Sequence, residues 1–200
     1  MKIPDERTLA GLKFDPDTGL LPVIAQHATT GEVLMLAYAN REAVERTIAS
    51  GQLWFYSRSR AQLWRKGETS GNTLDVVELA IDCDADTLLA RVMPAGPACH
   101  TGARNCFNTA PTLTTLADVL QDRAAKPQPG SYTTRLLGDE NLRLKKIGEE
   151  AAELIHACSR SDRDRVAEEA ADLLYHALVA CQAVGVGLTD VLRVLDARRR

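Results

Sequence analysis

One acidic motif occurs twice in this sequence, as EEAAEL at residues 149–154 and as EEAADL at residues 168–173. Each copy places two carboxylates three residues apart, which puts them on one face of a helix. The carboxylates so paired are Glu150 with Glu153 and Glu169 with Asp172. Like charges on one face repel each other, and a bound divalent cation such as magnesium removes that conflict. The repeat therefore predicts a helical hairpin, turning at residues 159–162, that brings four carboxylates together around magnesium.

A helical period continues through the whole second half of the chain. Apolar residues recur every three or four positions over residues 113–120, 142–158 and 166–181. Ser161 and Asp164 match a capping box, which predicts the start of the helix that carries the second acidic motif. The second half is therefore predicted to be all-α.

The first half has a different pattern, because short apolar runs broken by turn residues predict β-strands. The predicted strands cover residues 20–27, 33–38, 53–57, 74–81 and 87–93. One helix is predicted over residues 41–50, with Asn40 as its N-cap and Gly51 as its left-handed C-terminal residue. We therefore predict two domains, a strand-rich α+β domain over residues 1–111 and an all-α helical bundle over residues 112–200.

Residues that bind metals are concentrated in one short stretch of the first domain. On a β-strand, the two-residue alternation would direct Asp82, Asp84 and Asp86 to one face and Cys83 to the other. Hard carboxylate oxygens suit magnesium, whereas soft thiolates suit zinc. We predict magnesium on the three aspartates and zinc on three thiolates, with His100 or water as the fourth zinc ligand. The predicted thiolate ligands are Cys83, Cys99 and Cys106.

The chain has five cysteines, and this odd number favours metal ligation over disulfides for the three that are clustered. Cys158 and Cys181 lie in apolar helical patterns and are predicted to be small buried hydrophobes. A hydrophobic content of 45% with 26% charged residues is typical of a folded protein. A net charge of -3 offers no basic surface for nucleic acid, so no nucleic-acid partner is predicted.

The sequence also bears on location. No stretch reaches the roughly 18 apolar residues of a membrane span. Residues 1–6 lack the apolar core of a signal peptide. We predict a cytoplasmic protein with no membrane partner.

Three other kinds of site fail at individual positions. An EF-hand requires glycine and glutamate at the sixth and twelfth loop positions, where this chain has Thr87 and Met93. A di-iron bundle requires Glu-x-x-His twice, but only Glu153 with His156 matches, because Tyr175 occupies the second histidine position. No G-x-x-x-x-G-K-[ST] loop occurs, which excludes a P-loop NTPase.

Cationic and small residues near both sites are predicted to bind the phosphate groups of a substrate. Arg143, Lys145 and Lys146 lie one turn before the first acidic motif and would hold a polyphosphate. In the first domain, the residues predicted to bind substrate are Arg58, Lys66 and Ser70.

Several stretches of the first domain resemble phosphoribosyl-AMP cyclohydrolase in order and spacing, over roughly residues 11–108. They are SRSR at 57–60, LW at 63–64, KGETSG at 66–71, DCDAD at 82–86, GPACHTG at 96–102 and CF at 106–107. The paired acidic motifs resemble the all-α nucleoside triphosphate pyrophosphatases, and among them phosphoribosyl-ATP pyrophosphatase. A fusion of these two enzymes is the bifunctional enzyme of histidine biosynthesis. One position departs from the family pattern, since Asn72 stands where many members have histidine, and no role of that imidazole carries over.

The resemblance implies that the second domain hydrolyses phosphoribosyl-ATP to phosphoribosyl-AMP and pyrophosphate, with Glu150 or Glu153 as the base. The first domain would then add water at C6 of the purine and open the N1–C6 bond, with His100 in proton transfer. The three aspartates would bind magnesium near the ribose or phosphate. The resemblance also implies a homodimer in which the three zinc thiolates come from two subunits.

Two other functions stay open on the sequence alone. One is a housekeeping nucleotide pyrophosphatase whose first domain is a non-catalytic zinc-binding dimerisation module. The other is a metal-binding interaction protein without turnover. Ring opening and pyrophosphate release by the purified protein distinguish them.

Overall fold

A computed structural model describes residues 9–198 of the chain. Residues 1–6, used above to argue against a signal peptide, and residues 199–200 lie outside the described residues. The chain divides between Pro111 and Thr112 into two compact units. Each unit is described by itself below.

Within residues 9–111, the first unit contains a mixed β-sheet, a helix over residues 41–50 and a separate β-hairpin. Its elements are β1 (Leu21–His27), β2 (Val33–Ala39), α1 (Arg41–Ser50), β3 (Trp54–Ser57), β4 (Gln62–Arg65), β5 (Leu74–Ile81) and β6 (Leu88–Pro94). Four strands form a sheet in the order β2-β1-β6-β5, and β3 pairs with β4 separately. β1 runs antiparallel to β2 and parallel to β6, and β5 runs antiparallel to β6. The predicted α+β architecture is confirmed.

The core of this unit follows from the alternation along β1. Leu21, Val23 and Ala25 are each at most 1% exposed, because every second side chain of the strand faces inward. Helix α1 begins and ends as predicted. The Asn40 side chain accepts a hydrogen bond from the Ala43 N–H, and Gly51 has a φ of 71°.

β4 lies in a region where the sequence predicts no strand. It pairs antiparallel with β3, and Phe55 stands opposite Trp64. The ring centroids of these two residues are 5.0 Å apart, and Phe55 is fully buried. Because β4 has only four residues, no period identifies it, and the packing of Trp64 on Phe55 decides the local structure.

The second unit is all-α, as predicted. Its helices among the described residues are α2 (Thr112–Ala125), α3 (Tyr132–Gly138), α4 (Glu140–Ser159), α5 (Arg163–Ala183) and α6 (Leu188–Ala197). The predicted helical hairpin is α4 and α5. The predicted capping box is wrong, because Asp162 is the N-cap of α5 and its carboxylate accepts from the Arg165 N–H. Ser161 has a φ of 55°, whereas an N-cap residue requires extended backbone.

Burial along the hairpin also differs from the predicted apolar stripes. Ile155 is 71% exposed and Leu174 is 44% exposed, while the Cys158 side chain is exposed and Cys181 is half-buried. The buried charged or polar side chains of α4 and α5 are Arg143, Glu150, Glu169 and His176. The contacting faces of α4 and α5 therefore carry carboxylates. Apolar residues such as Ile155 and Leu174 lie on faces exposed to solvent instead.

The apolar core of the second unit gathers one or two residues from each of four helices. Its buried members are Leu120, Leu136, Leu178, Val179 and Leu188. Among the described residues, no single helix has the length and apolar composition to cross a membrane. Helices α5 and α6 meet that condition only as a pair, which is bent by 108° at its break.

Candidate metal centres

Three carboxylates of the helical hairpin meet in one group. Oxygen atoms of Glu150, Glu169 and Asp172 all lie within 4.8 Å of one another. Glu150 and Glu169 are buried, and Asp172 is exposed. Glu153, the fourth member of the repeat, lies outside this group with 56% of its side chain exposed. The hairpin thus forms a compact oxygen site of the kind that magnesium prefers.

Two cations compensate the negative charge of the carboxylate group. Lys146 Nζ lies 3.1 Å from Glu149 and 3.2 Å from Glu150, and these contacts raise the Lys146 pKa well above its ordinary value. Arg165 forms a very short ion pair with Glu169, and it also lies 3.7 Å from Glu153. Burial raises the pKa of Glu169, and Arg165 opposes that effect. A metal ion that binds to this group would therefore lie close to the charged side chains of Lys146 and Arg165.

His176 is a buried neighbour of the carboxylate group for which the sequence analysis predicts no role. Its Nε2 atom lies 3.7 Å from Glu150 Oε1. Burial lowers the His176 pKa, and the nearby Glu150 carboxylate opposes that effect. The only sequence signal was its position four residues after Asp172, which places both residues on one helix face.

The cations before the first acidic motif have different surroundings. Arg143 is buried, and its Nη1 donates hydrogen bonds to the carbonyl oxygens of Leu136 and Leu137, each at 2.9 Å. It therefore caps the end of α3 and is not placed to hold a polyphosphate, contrary to the prediction. Lys145 is 70% exposed and pairs with Glu149 at 3.0 Å.

The aspartates of the first unit lie in a turn, not on a strand. β5 ends at Ile81, β6 begins at Leu88, and the predicted strand alternation of residues 82–86 is therefore wrong. Asp82 Oδ1 accepts hydrogen bonds from the backbone N–H groups of Asp86 and Thr87, each at 3.0 Å. Ala85 adopts the left-handed conformation, with a φ of 66°.

This turn still gathers the three carboxylates. Oxygen atoms of Asp82, Asp84 and Asp86 lie within 4.8 Å of one another, and all three residues are exposed. The carboxylates converge because the chain wraps around the Asp82 side chain, rather than because they share a strand face. Their oxygens suit a hard cation.

Two of the three predicted thiolate ligands lie together after β6. The Cys99 and Cys106 side chains lie close enough that each affects the pKa of the other. The Thr101 hydroxyl donates to Cys99 Sγ at 3.1 Å, and this contact lowers the Cys99 pKa. Lys66, 8% exposed, interacts electrostatically with both thiols. Adjacent soft sulfurs, one favoured as thiolate, are a donor set that fits zinc.

The third cysteine lies at the other end of the sheet. Cys83 belongs to the exposed turn that precedes β6, whereas Cys99 and Cys106 follow β6. Cys106 N–H donates to the Leu34 carbonyl at 2.8 Å, which fixes the thiol pair beside the start of β2. The seven residues of β6 span roughly 20 Å. Cys83 of the same chain is therefore separate from the thiol pair.

The remaining predicted residues of the first unit lie near these groups or on its surface. His100 is exposed, with Nδ1 3.9 Å from Cys99 Sγ. Lys66 Nζ donates to the Asn72 carbonyl at 2.9 Å. Arg58 packs over the Tyr38 ring at 4.1 Å. Ser70 Oγ accepts a hydrogen bond from the Asn72 N–H at 3.3 Å.

Asn72, which departs from the family pattern, is tightly enclosed. A Cβ atom on Gly67 would lie 2.5 Å from the Asn72 carbonyl carbon, and Gly67 has a φ of 84°. Gly96 approaches the Asn72 side chain in the same way. Gly67 is therefore required for the close approach to the Asn72 backbone, whereas a side chain at Gly96 would displace only the Asn72 side chain.

Each unit has its own set of possible metal-ligand side chains, which is the arrangement expected of a two-domain metal-dependent enzyme. The second unit offers carboxylates, and the first offers carboxylates and thiols. Family models for phosphoribosyl-AMP cyclohydrolase and phosphoribosyl-ATP pyrophosphohydrolase match residues 35–108 and 113–199. The chain belongs to the family of bifunctional histidine-biosynthesis enzymes, which confirms the resemblance found in its motifs.

Relatives support this membership over nearly the whole chain. The histidine biosynthesis bifunctional protein HisIE of Bacillus subtilis is 47% identical, with 99% of this chain and 97% of the relative covered. HisIE of Thermus thermophilus is 44% identical over 96% of this chain and 94% of the relative. HisIE of Escherichia coli K12 is 45% identical over 94% of this chain and 96% of the relative.

Proposed function

We propose that the chain catalyses two consecutive hydrolyses of histidine biosynthesis. It acts first as a phosphoribosyl-ATP pyrophosphatase and then as a phosphoribosyl-AMP cyclohydrolase, the two activities of its family. We assign the first reaction to residues 112–200 and the second to residues 1–111, in the cytoplasm. The single observation that carries this proposal is that each matched domain has its own set of metal-ligand side chains.

The carboxylate group of α4 and α5 would perform the pyrophosphatase step. Glu150, Glu169 and Asp172 would hold magnesium, with Glu153 as a further ligand from the same motif. Lys146, whose ammonium already contacts Glu150, would bind a phosphate oxygen. Glu150 or Glu153 would accept a proton from the attacking water. The α,β-phosphoanhydride bond breaks, and pyrophosphate leaves with the β- and γ-phosphorus atoms.

The thiol pair and its surroundings would perform the ring opening. Cys99 and Cys106 would hold zinc, and His100 beside Cys99 would transfer protons between water and the purine ring. Water adds at C6, the N1–C6 bond breaks, and N1 takes up a proton. Lys66 interacts electrostatically with both thiols, and we assign it to substrate binding beside them. Arg58 and Ser70 are the further residues proposed to bind substrate.

The aspartate turn would hold magnesium through Asp82, Asp84 and Asp86. When bound, zinc would activate water near neutral pH, and magnesium would neutralise phosphate oxygens. The donor types present fit these ions, since the thiol pair is soft and both carboxylate groups are hard.

We also propose a homodimer in which Cys83 of one subunit joins Cys99 and Cys106 of the other. The position of Cys83 at the opposite end of β6 supports this arrangement. Among the described residues, no group of three ligand atoms within 4.8 Å includes a thiol. A second copy of the chain would supply the third sulfur.

Replacement of Cys99 by serine tests the proposed function. We expect Cys99→Ser to lose zinc and ring opening while pyrophosphate release continues, because the carboxylate group lies on the other unit. Cys158→Ser, which changes an exposed thiol of α4, is the matched control. Metal analysis, the absorbance change of ring opening and a pyrophosphate assay provide the measurements. Zinc retained at full stoichiometry in Cys99→Ser contradicts the thiolate assignment.

A further inference from the structure

Two buried polar side chains lie behind the thiol pair and have no role in the reaction described above. Glu32, in the turn between β1 and β2, is 3% exposed, and Asn105 is 4% exposed. Asn105 Nδ2 donates a hydrogen bond to Glu32 Oε1 at 2.5 Å. Burial of a carboxylate and an amide is costly unless they are paired, so each holds the other in place.

The Asn105 side chain also organises the backbone around Cys106. Its Nδ2 atom donates to the Thr109 carbonyl, and its Oδ1 atom accepts from the Phe107 N–H at 2.8 Å and from the Thr109 N–H at 3.4 Å. Cys106 itself donates its backbone N–H to Leu34 at 2.8 Å. The backbone that carries the Cys106 thiol is thus fixed on both sides.

Glu32 connects this turn to the segment that carries Cys99. Its Oε2 atom has no hydrogen-bond partner among the described residues, and it lies 3.6 Å from the Arg104 guanidinium. The backbone carbonyl of Arg104 accepts from the Ala98 N–H at 3.0 Å, next to Cys99. One carboxylate therefore contacts two consecutive residues, Arg104 and Asn105, that lie between the two thiols in sequence.

We propose that Glu32 and Asn105 are positioning residues for the thiol pair. Their buried hydrogen bond sets the Cys106 sulfur against the Cys99 sulfur before any metal binds, so that zinc meets ligands already in place. Neither residue touches substrate. This inference rests on the proposed function, since it takes Cys99 and Cys106 as zinc ligands.

The first variant replaces the donor by an acceptor. Asn105→Asp keeps the oxygen that accepts from Phe107 and Thr109 but places a carboxylate against Glu32. We expect zinc affinity to fall about 10- to 100-fold, the range found when groups that support metal ligands are changed. Competition with a chromogenic chelator measures this affinity. The visible spectrum of the cobalt(II)-substituted protein reports the change in ligand geometry.

A reciprocal variant restores the hydrogen bond with its direction reversed. In the double variant Glu32→Gln with Asn105→Asp, the new amide donates to the new carboxylate at the same place. We expect zinc affinity at least about fivefold higher than in Asn105→Asp alone, because the two sites are coupled through one contact. Recovery is partial, since the Thr109 carbonyl loses its donor in both variants.

A matched control separates positioning from loss of stability. Thr47 is 1% exposed, and its hydroxyl accepts from the Trp54 N–H at 3.0 Å and donates to the Ala43 carbonyl at 2.9 Å, so its hydrogen bonds involve neither thiol. Thr47→Val removes a buried hydrogen bond of the same unit and is expected to leave zinc affinity unchanged. Tryptophan fluorescence reports folding of this unit alone, because both tryptophans, Trp54 and Trp64, lie in it.

The outcomes separate this inference from the proposed function. Weaker zinc binding in Asn105→Asp, recovery in the double variant and no change in Thr47→Val support positioning. Zinc binding that is lost in Cys99→Ser but unchanged in Asn105→Asp overturns the positioning role alone. The absence of recovery in the double variant overturns it as well. Zinc retained in Cys99→Ser overturns both proposals together.

Discussion

The carboxylate group of the second unit and the thiol pair of the first are built in opposite ways. Glu150 and Glu169 come from two helices joined by a short turn, and both are buried within one chain. Cys99 and Cys106 follow β6, while Cys83 precedes that strand. A helical hairpin gathers ligands through local pairing, whereas a sheet separates residues that are close in sequence. A site within one hairpin is therefore available to one chain, and a thiolate site that includes Cys83 depends on assembly.

The two groups also differ in what surrounds the ligand atoms. Lys146 and Arg165 form ion pairs with the carboxylate group, so a cation has to compete with charges already there. Around the thiols, the Thr101 hydroxyl and the buried pair of Glu32 and Asn105 fix geometry through hydrogen bonds. Charge compensation dominates the first group, and backbone positioning dominates the second.

The largest expected effect is the loss of one activity without the other. Glu150→Gln removes the charge of a proposed magnesium ligand but keeps the shape of the side chain. We expect the rate of pyrophosphate release to fall by at least about 100-fold. This loss exceeds the one expected when a residue that only supports a metal ligand is changed. Ring opening of phosphoribosyl-AMP should continue unchanged, because it takes place on the other unit. Glu168→Gln, which changes a carboxylate of the second copy of the motif that is 60% exposed, is the control and should retain both activities. Equal losses in the two variants would contradict the assignment.

Mixing of inactive variants tests whether each site belongs to one chain or two. We expect Cys83→Ser and Cys99→Ser chains, refolded together in equal amounts, to recover about a quarter of wild-type ring opening. Half of the dimers then contain one chain of each variant. In each of these dimers, one of the two proposed zinc sites has all three thiols, so a quarter of all sites are intact. Glu150→Gln mixed with Asp172→Asn should recover no pyrophosphate release, because these two proposed ligands meet within one chain. Failure of the thiol variants to complement would show that the zinc site is not shared.

A smaller effect is expected from the cation that pairs with the carboxylate group. Arg165→Gln removes a guanidinium that contacts Glu169 and Glu153 and that repels an incoming cation. We expect the magnesium concentration for half-maximal pyrophosphate release to fall about two- to fivefold, because water screens the half-exposed Arg165 guanidinium. Arg163→Gln, at an exposed position one residue into α5, serves as the control. A rise in the magnesium requirement would mean that Arg165 supports the site.

The smallest expected effect is the pH dependence of the stability of the first unit. Burial lowers the pKa of His27 below its ordinary value of 6.5, and Nδ1 accepts hydrogen bonds from the Thr29 and Thr30 N–H groups. The unfolded chain therefore binds a proton at higher pH than the folded one. We expect stability to decline as the pH falls from about 6.5 until the folded-state pKa is passed. The thermal midpoint followed by tryptophan fluorescence measures this, and His27→Gln should show a weaker pH dependence between pH 7 and pH 5.

Local signals predicted local structure well. Asn40 and Gly51 mark the ends of α1 because capping depends on a few neighbouring residues. The same kind of local pattern did not predict the structure of the aspartate turn, residues 82–86. Its composition pointed to a metal, but the strand alternation failed because Asp82 folds the backbone around its own side chain. The predicted N-cap at Ser161 is wrong for a similar reason. Ser161 adopts a left-handed backbone conformation that no sequence pattern indicates, and Asp162 is therefore the N-cap of α5.

The sequence by itself determined the two-domain organisation, the helical hairpin and the residue types able to bind hard and soft metals. These properties follow from periodicity and donor chemistry, which a linear chain displays directly. Only the tertiary structure decided which faces of α4 and α5 are buried and that Arg143 caps α3. It also decided that Glu32 is hydrogen-bonded to Asn105, the residue before Cys106. Such contacts join residues far apart in the chain, and their energy depends on burial that no local pattern records. The same limit applies to Cys83, whose distance from the other thiols is set by the direction of β6.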